Sequence, residues 1–261
     1  MAPTSDQNRN ATVELFGFSI RAVSFVDAVS LLSQAVKQRP AQVVVTPNVD
    51  HIVSLADNPE LKQTYATADF LFADGMPVVW ASKLLGKHLP ERVTGADLFT
   101  ALCEQARQHA WHVAVIGGVP GQETMLLERF AQVYPGLNVS LNCPRMGFDY
   151  LGTDGQACVK WVNEIAPDLV FVCLGFPRQD LWALHVREQI NTGLLLGVGA
   201  SMEFALGLVS RAPLWMQRSG LEWVWRLLSN PRKLWRRYLV RGPRFAGIVW
   251  KEWRRLRADK S

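Results

Sequence analysis

The strongest constraint on this chain is an alternation. Short, almost wholly apolar runs recur along it: VELFGFSI (13–20), QVVVTP (42–47), DFLFA (69–73), HVAVIGG (112–118), NVSLN (138–142), LVFVCLG (169–175) and LLLGVG (194–199). Between them lie segments with helical spacing, at 25–38, 50–66, 76–86, 95–109, 121–133, 154–165 and 178–190. Strands without polar alternation are buried on both faces, and a repeated strand–helix order requires parallel pairing through crossovers. The sequence predicts an α/β, Rossmann-like fold: a mostly parallel sheet with helices on both faces. FGFSI, near residue 17, is also readable as part of a β-hairpin. Thr94 is placed to cap the helix at 95–109, with Asp97 in its first turn.

The length of 261 residues fits one such domain, with or without an appendage, and 49% hydrophobic residues suffice for its core. The first eleven residues, MAPTSDQNRNA, are polar, expected to fray, and lack the apolar centre of a secretory signal. The longest apolar run, LLLGVGASMEFALGLV, is interrupted by Glu203 and by glycines, and falls short of the roughly 20 residues of a membrane span. Cys103, Cys143, Cys158 and Cys173 form no CxxC pair, a pattern of a reducing cytoplasm without disulfides or structural zinc.

Charge divides the chain. Residues 211–261 carry 14 Lys+Arg against 3 Asp+Glu, whereas residues 1–210 are acidic on balance. Six of the ten tryptophans also lie in that tail, which reads as two or three amphipathic helices broken at Asn230-Pro231 and Gly242-Pro243. An ordinary helical subdomain with a solvated basic face, a nucleic-acid surface and an interfacial membrane patch all fit basic helices. Tryptophan density favours the membrane, because Trp sits at headgroup depth and Arg meets lipid phosphate. The expected division is a catalytic body, 12–210, and a basic helical appendage, 211–261.

Ligands of a doubly wound sheet bind beyond the carboxyl ends of its strands. Polar or small residues gather at five such ends: Thr46 and Asn48, Asp74, Gly117-Gly118, Gly175 to Gln179, and Gly197 to Gly199. Glycine turns before helices suit a phosphate. GGVPG and GVGASM nevertheless miss the GxGxxG pattern, which counts against a nucleotide-dependent oxidoreductase. Asp74, in FADGMPVVW, is a candidate general base whose competing role is to cap the helix starting near Met76. Arg92 reads alone as a surface ion pair. His51 and His112 show no metal-ligand pairing, and no DxD is present. A non-catalytic adaptor using only the tail leaves five polar strand ends unexplained.

TPN (46–48), ADG (73–75), PERVTGADL (90–98), GFPRQDLW (175–182), GVGASME (197–203) and RAPLWMQRSGLEWVWRL (211–227) together resemble the WecG/TagA/CpsF glycosyltransferases, over about residues 12–240. The resemblance implies transfer of a hexose-type sugar from a UDP-sugar to a sugar on polyprenyl (undecaprenyl) diphosphate. It further implies inversion, no metal and no cofactor, at the cytoplasmic face of a bacterial membrane, in cell-surface polysaccharide or exopolysaccharide synthesis. It assigns the base to Asp74 and substrate contacts to Thr46, Asn48, Arg92 and Gln179. Gly118 and Gly199 then offer backbone N–H groups to the leaving diphosphate. Arg226 and Arg236 match the arginines that hold the lipid diphosphate. A third such arginine aligns with Lys233, which binds phosphate without a bidentate fork. The partners implied are the UDP-sugar, the lipid-linked acceptor and an anionic membrane, not nucleic acid; a homo-oligomer is compatible with all of this.

Overall fold

The computed structural model describes residues 11–258, so the expected frayed stretch falls almost entirely outside the described residues; the side chains of Arg218, Lys233 and Arg237 also lie outside the description. The chain opens with an antiparallel hairpin of β1 (Thr12–Leu15) and β2 (Phe18–Arg21). The run 13–20 is therefore two strands. Phe16 and Gly17 turn between them with φ of 57° and 79°, as a two-residue hairpin loop requires.

Six strands form the main sheet: β3 (Gln42–Val45), β4 (Phe70–Leu71), β5 (His112–Gly117), β6 (Asn138–Asn142), β7 (Leu169–Cys173) and β8 (Leu194–Gly197). Their order is β4-β3-β8-β7-β5-β6 and every pairing is parallel. Alternate residues of each strand feed opposite cores. Val43, Val45, Ala114, Ile116, Val170, Val172 and Leu195 join one cluster, and Val44, Val113, Val115, Phe171, Leu194 and Leu196 join the other. This two-sided burial is why the strands read as continuous apolar runs.

The first core is covered by the hairpin, α2 (Val49–Ala56), α3 (Pro59–Tyr65), α4 (Met76–Leu84), α7 (Thr153–Ile165) and α8 (Arg178–Val186). The second is covered by α1 (Phe25–Ala35), α5 (Gly95–His109), α6 (Glu123–Val133) and α9 (Ser201–Ala205). Several boundaries differ from expectation, and three have a clear backbone cause or consequence. The segment 50–66 is two helices, because Pro59 has no N–H to continue α2 and Asn58 caps a new start by accepting from Leu61 N at 3.0 Å. α8 stops at Val186 instead of 190. β4 pairs at two residues only, since Ala73 and Asp74 turn their backbone groups to loops.

The tail comprises α10 (Leu214–Arg218), α11 (Glu222–Ser229), α12 (Pro231–Trp235), a π-helical turn (Arg236–Val240) and α13 (Arg241–Ala258). The break at Asn230-Pro231 is present. The break expected at Gly242-Pro243 is not: helix runs through it, and the wide turn lies where Pro243 supplies no N–H to residue 239. α13 lies along α2. Phe245 and Val249 are buried in the first core, and Arg241 pairs with Asp50 at 2.6 Å. The Phe245 ring meets that of Phe16 at 5.5 Å, which stabilises a non-glycine residue at positive φ.

Candidate active site

Backbone hydrogen bonds stitch three of the motifs together at the carboxyl edge of the sheet. Asp74 N donates to Pro47 O at 3.0 Å, joining ADG to TPN, and Val93 N donates to Ala73 O at 2.9 Å, joining PERV to both. Asp74 does not cap α4. Gly75 occupies the N-cap at φ 107°, with no side-chain cap bond. The carboxylate is thereby left to face a cavity of about 280 Å³ lined also by Asn48, Arg92, Glu222, Arg226 and Tyr238. Burial raises the Asp74 pKa from the ordinary 3.8 to about 6. Arg226 and Arg92 oppose the rise, while Glu222 and Asp97 add to it.

Arg92 is not a surface ion pair. Its Nη1 meets Glu222 Oε2 at 3.1 Å and its Nη2 lies 3.9 Å from Asp97 Oδ2. Arg226, one turn along α11, donates to Glu222 Oε1 from Nε at 3.1 Å and from Nη2 at 2.6 Å. Its guanidinium also lies over the Phe204 ring, 5.1 Å from the centroid. Arg211 donates from Nη1 to Asp97 Oδ1 at 2.6 Å, and its Nε and Nη2 are buried with no partner among the described residues. The result is an alternating chain: Arg226, Glu222, Arg92, Asp97, Arg211. Burial alone would raise the Glu222 carboxyl, but the Arg226 and Arg211 charges and hydrogen bonds from Arg226 and Arg92 hold it below the usual range.

The other expected residues occupy different places. Asn48 lines the cavity while capping α2, its Oδ1 accepting from Asp50 N at 2.9 Å and His51 N at 3.3 Å. Thr46 is buried under the start of α5, where a side chain on Gly95 would stand 3.2 Å from its Oγ1. Gln179 is 3% exposed and its Oε1 accepts from Gly175 N at 3.1 Å and Gly199 N at 2.9 Å. It thus pins the loops after β7 and β8 together, and the Gly199 N–H is committed to it. Gly118 directly follows β5, close against Cys143 and Leu126. Thr46, Gly118, Gln179 and Gly199 all follow strands of the sheet but do not line the cavity around Asp74. Of the arginines matched to a lipid diphosphate, Arg226 enters the cavity; Arg236 is exposed beside the Trp235 ring.

The chain matches the model of the Glycosyl transferase WecG/TagA/CpsF family over residues 13–259. It belongs to that family. Among its relatives is the N-acetylglucosaminyldiphosphoundecaprenol N-acetyl-β-D-mannosaminyltransferase of Bacillus spizizenii W23, 34% identical over 203 residues that cover 77% of this chain and 76% of the relative. Membership in a glycosyltransferase family sets aside the oxidoreductase and adaptor readings. No helix among the described residues is long and apolar enough to cross a membrane.

Glu222, Asp97, Arg211 and Asp180 were not foreseen as site residues. Glu222 had a signal: it is one of three acids in a tail of 14 basic residues, and it sits inside the GLEW motif. Asp180 directly follows Gln179. It is 1% exposed, burial pushes its pKa up to about 7, and its Oδ2 is without a partner among the described residues. A side chain on Gly197 would collide with its Oδ1, so that glycine is required for close approach.

Proposed function

We propose that this protein transfers a hexose-type sugar from a UDP-sugar to a sugar carried on polyprenyl diphosphate, with inversion and without a metal, at the cytoplasmic face of a bacterial membrane. The observation that carries the reading is Asp74: a carboxylate with a pKa near 6, held over a cavity between Arg92 and Arg226 in a chain of this family. A group that titrates near neutrality is ionised enough to accept a proton and basic enough to hold it. Asp74 takes the proton of the acceptor hydroxyl while that oxygen attacks the anomeric carbon. UDP leaves from the opposite face, and a single displacement inverts the centre.

Charge on the departing diphosphate is met by cations and backbone N–H groups at the strand ends. The N–H groups near Gly118 are the candidates for this role. The lipid diphosphate of the acceptor falls to Arg226, which enters the cavity, with Arg236 and Lys233 as the other cations that the family motif matches to it. Residues 12–210 form the catalytic body. The part from 211 onward holds the enzyme on an anionic leaflet, a role supported by its basic charge and by the exposed Trp215, Trp235 and Trp250.

The Bacillus relative's name makes UDP-N-acetylmannosamine, an amino hexose, the first donor to try. The test is incubation with a panel of UDP-sugars and a synthetic polyprenyl-diphosphate-linked N-acetylglucosamine, with the product read by mass. One donor is expected to add one sugar to the acceptor. Absence of product with every donor, from folded enzyme on vesicles, refutes the reading.

A further inference from the structure

Arg92 belongs to the body and Arg226 to the tail, yet both reach one cavity beside Asp74. Two guanidiniums at one site repel each other. What stands between them is Glu222, whose two oxygens are divided: Oε2 for Arg92 at 3.1 Å, Oε1 for Arg226 at 2.6 Å. Its side chain is only 15% exposed, so water screens these contacts weakly. Arg226 and Glu222 lie one turn apart on α11, which fixes their mutual placement, and the bond to Arg92 then fixes α11 against the body.

We propose that Glu222 is a positioning residue for glycosyl transfer: it holds Arg92 and Arg226 together beside Asp74, presents them as a pair to the substrate diphosphate, and sets the charge around the base. This rests on the reading of Asp74 as the base and of the cavity as the place of the acceptor. The groups whose charge reaches Asp74 are Arg226 and Glu222 from the tail, Arg92 from the segment leading into α5 and Asp97 from the first turn of α5; the buried Tyr65 of α3 in turn feels the charge of Asp74. Glu222 and Asp97 favour the protonated form of Asp74, and the two arginines favour its anion. Neutralising Glu222 removes one nearby negative charge and releases both arginines from their partner. Both changes favour the Asp74 anion, so the base titrates at lower pH.

The test compares wild type, Glu222→Gln and Glu222→Asp in the full chain. Carboxyl carbon NMR follows the Asp74 titration, assigned by its loss in Asp74→Asn, and calorimetry follows binding of a short-chain prenyl diphosphate. In Glu222→Gln the Asp74 midpoint is expected to fall by about half a unit or more. Diphosphate binding is expected to weaken about tenfold, because the arginines are no longer held as a pair. Glu222→Asp keeps the charge but is too short to reach both arginines. Its Asp74 midpoint stays near wild type while binding weakens, a split that a purely structural role would not produce. An unchanged midpoint in a folded Glu222→Gln overturns the proposal, as does tighter diphosphate binding, which would make Glu222 a competitor of the substrate. Should Glu222→Gln lose its fold, Glu222→Asp decides alone: wild-type diphosphate affinity overturns the proposal. Neither readout needs product, so failure of the transferase reading, seen as no transfer by wild type, stays distinguishable.

Discussion

Replacing Asp74 by Asn tests the site at its centre. Asn has nearly the same shape but cannot take a proton, so the change removes the proposed base and little else. General-base catalysis contributes about 10²–10⁴-fold, which places the loss in kcat at about 3–5.5 kcal/mol of transition-state stabilisation. The pH profile sharpens the test. With a pKa near 6, Asp74 is about half ionised at pH 6, about nine-tenths at pH 7 and about one-tenth at pH 5. Wild-type kcat/KM should therefore fall about tenfold per unit below pH 6, and the residual rate of Asp74→Asn should lack that limb. Stability follows the same titration. The folded pKa is raised, so ionised Asp74 costs stability, and that cost grows as pH rises from about 4 through 6. At pH 8 the Asn variant should melt no lower than wild type, which separates lost chemistry from lost fold. The assay is transfer to a polyprenyl-diphosphate-linked sugar across pH 5–8, with UDP-sugar affinity and melting measured beside it. Near-normal turnover with intact donor binding would refute the assignment, and so would an acid limb that survives in Asp74→Asn.

Three further outcomes follow from the packing. Gln179→Ala strands the Gly175 and Gly199 N–H groups, each costing about 1–3 kcal/mol when buried, so melting temperature and donor affinity should fall together; a loss of affinity with unchanged melting would mean direct substrate contact instead. Phe245→Ala removes the ring that meets Phe16, at about 3–5 kcal/mol, and hydrogen exchange should show α13 losing protection ahead of the sheet. Asp180 has a raised pKa, so wild-type stability should fall by up to about 1.4 kcal/mol per unit from pH 4 to about 7 and then level off. Asp180→Asn lacks that loss, and its advantage in melting temperature should grow over the same window; a constant difference across pH would show that Asp180 stays ionised in the fold.

The sheet was legible because burial on both faces leaves a one-dimensional trace: a strand such as LVFVCLG has no polar alternation to mislead, and its helices carry local caps such as Thr94. Boundaries set by backbone chemistry at a distance were not. β4 is short because Ala73 and Asp74 bond to residues 93 and 47, and the helix through Pro243 depends on a wide turn that only the three-dimensional path displays. The site divided in the same way. Asp74, Asn48, Arg92 and Arg226 were readable as members of separate motifs, and they do line one cavity. Their relation to Glu222 was hidden, because an ion pair between residues 92 and 222 leaves no pattern along the chain.

The charge of the tail shows what such a hidden relation changes. Read as a sum, the basic excess of residues 211–261 favours a membrane patch without saying which cations are free to form it. In the structure, Arg226 and Arg211 are committed to Glu222 and Asp97 at the cavity, and Arg241 and Arg244 to Asp50 and Asp57 of α2 and its C-terminal end. Arg211, Arg241 and Arg244 attach the tail to the acidic body, Glu222 does so through Arg92, and cations so paired cannot all be presented to lipid at once. The pairs with Glu222 and Asp97 are sheltered and resist salt, whereas Arg244–Asp57 is half exposed and screened. Rising ionic strength should therefore loosen the far end of the strap, at α13, while α11 stays held over Asp74. The basic tail is in this sense two devices in one sequence. Its first part completes the cavity at Asp74 by alternating opposite charges, and its second is a helix tied down by the buried Phe245 and Val249 and a few weaker ion pairs.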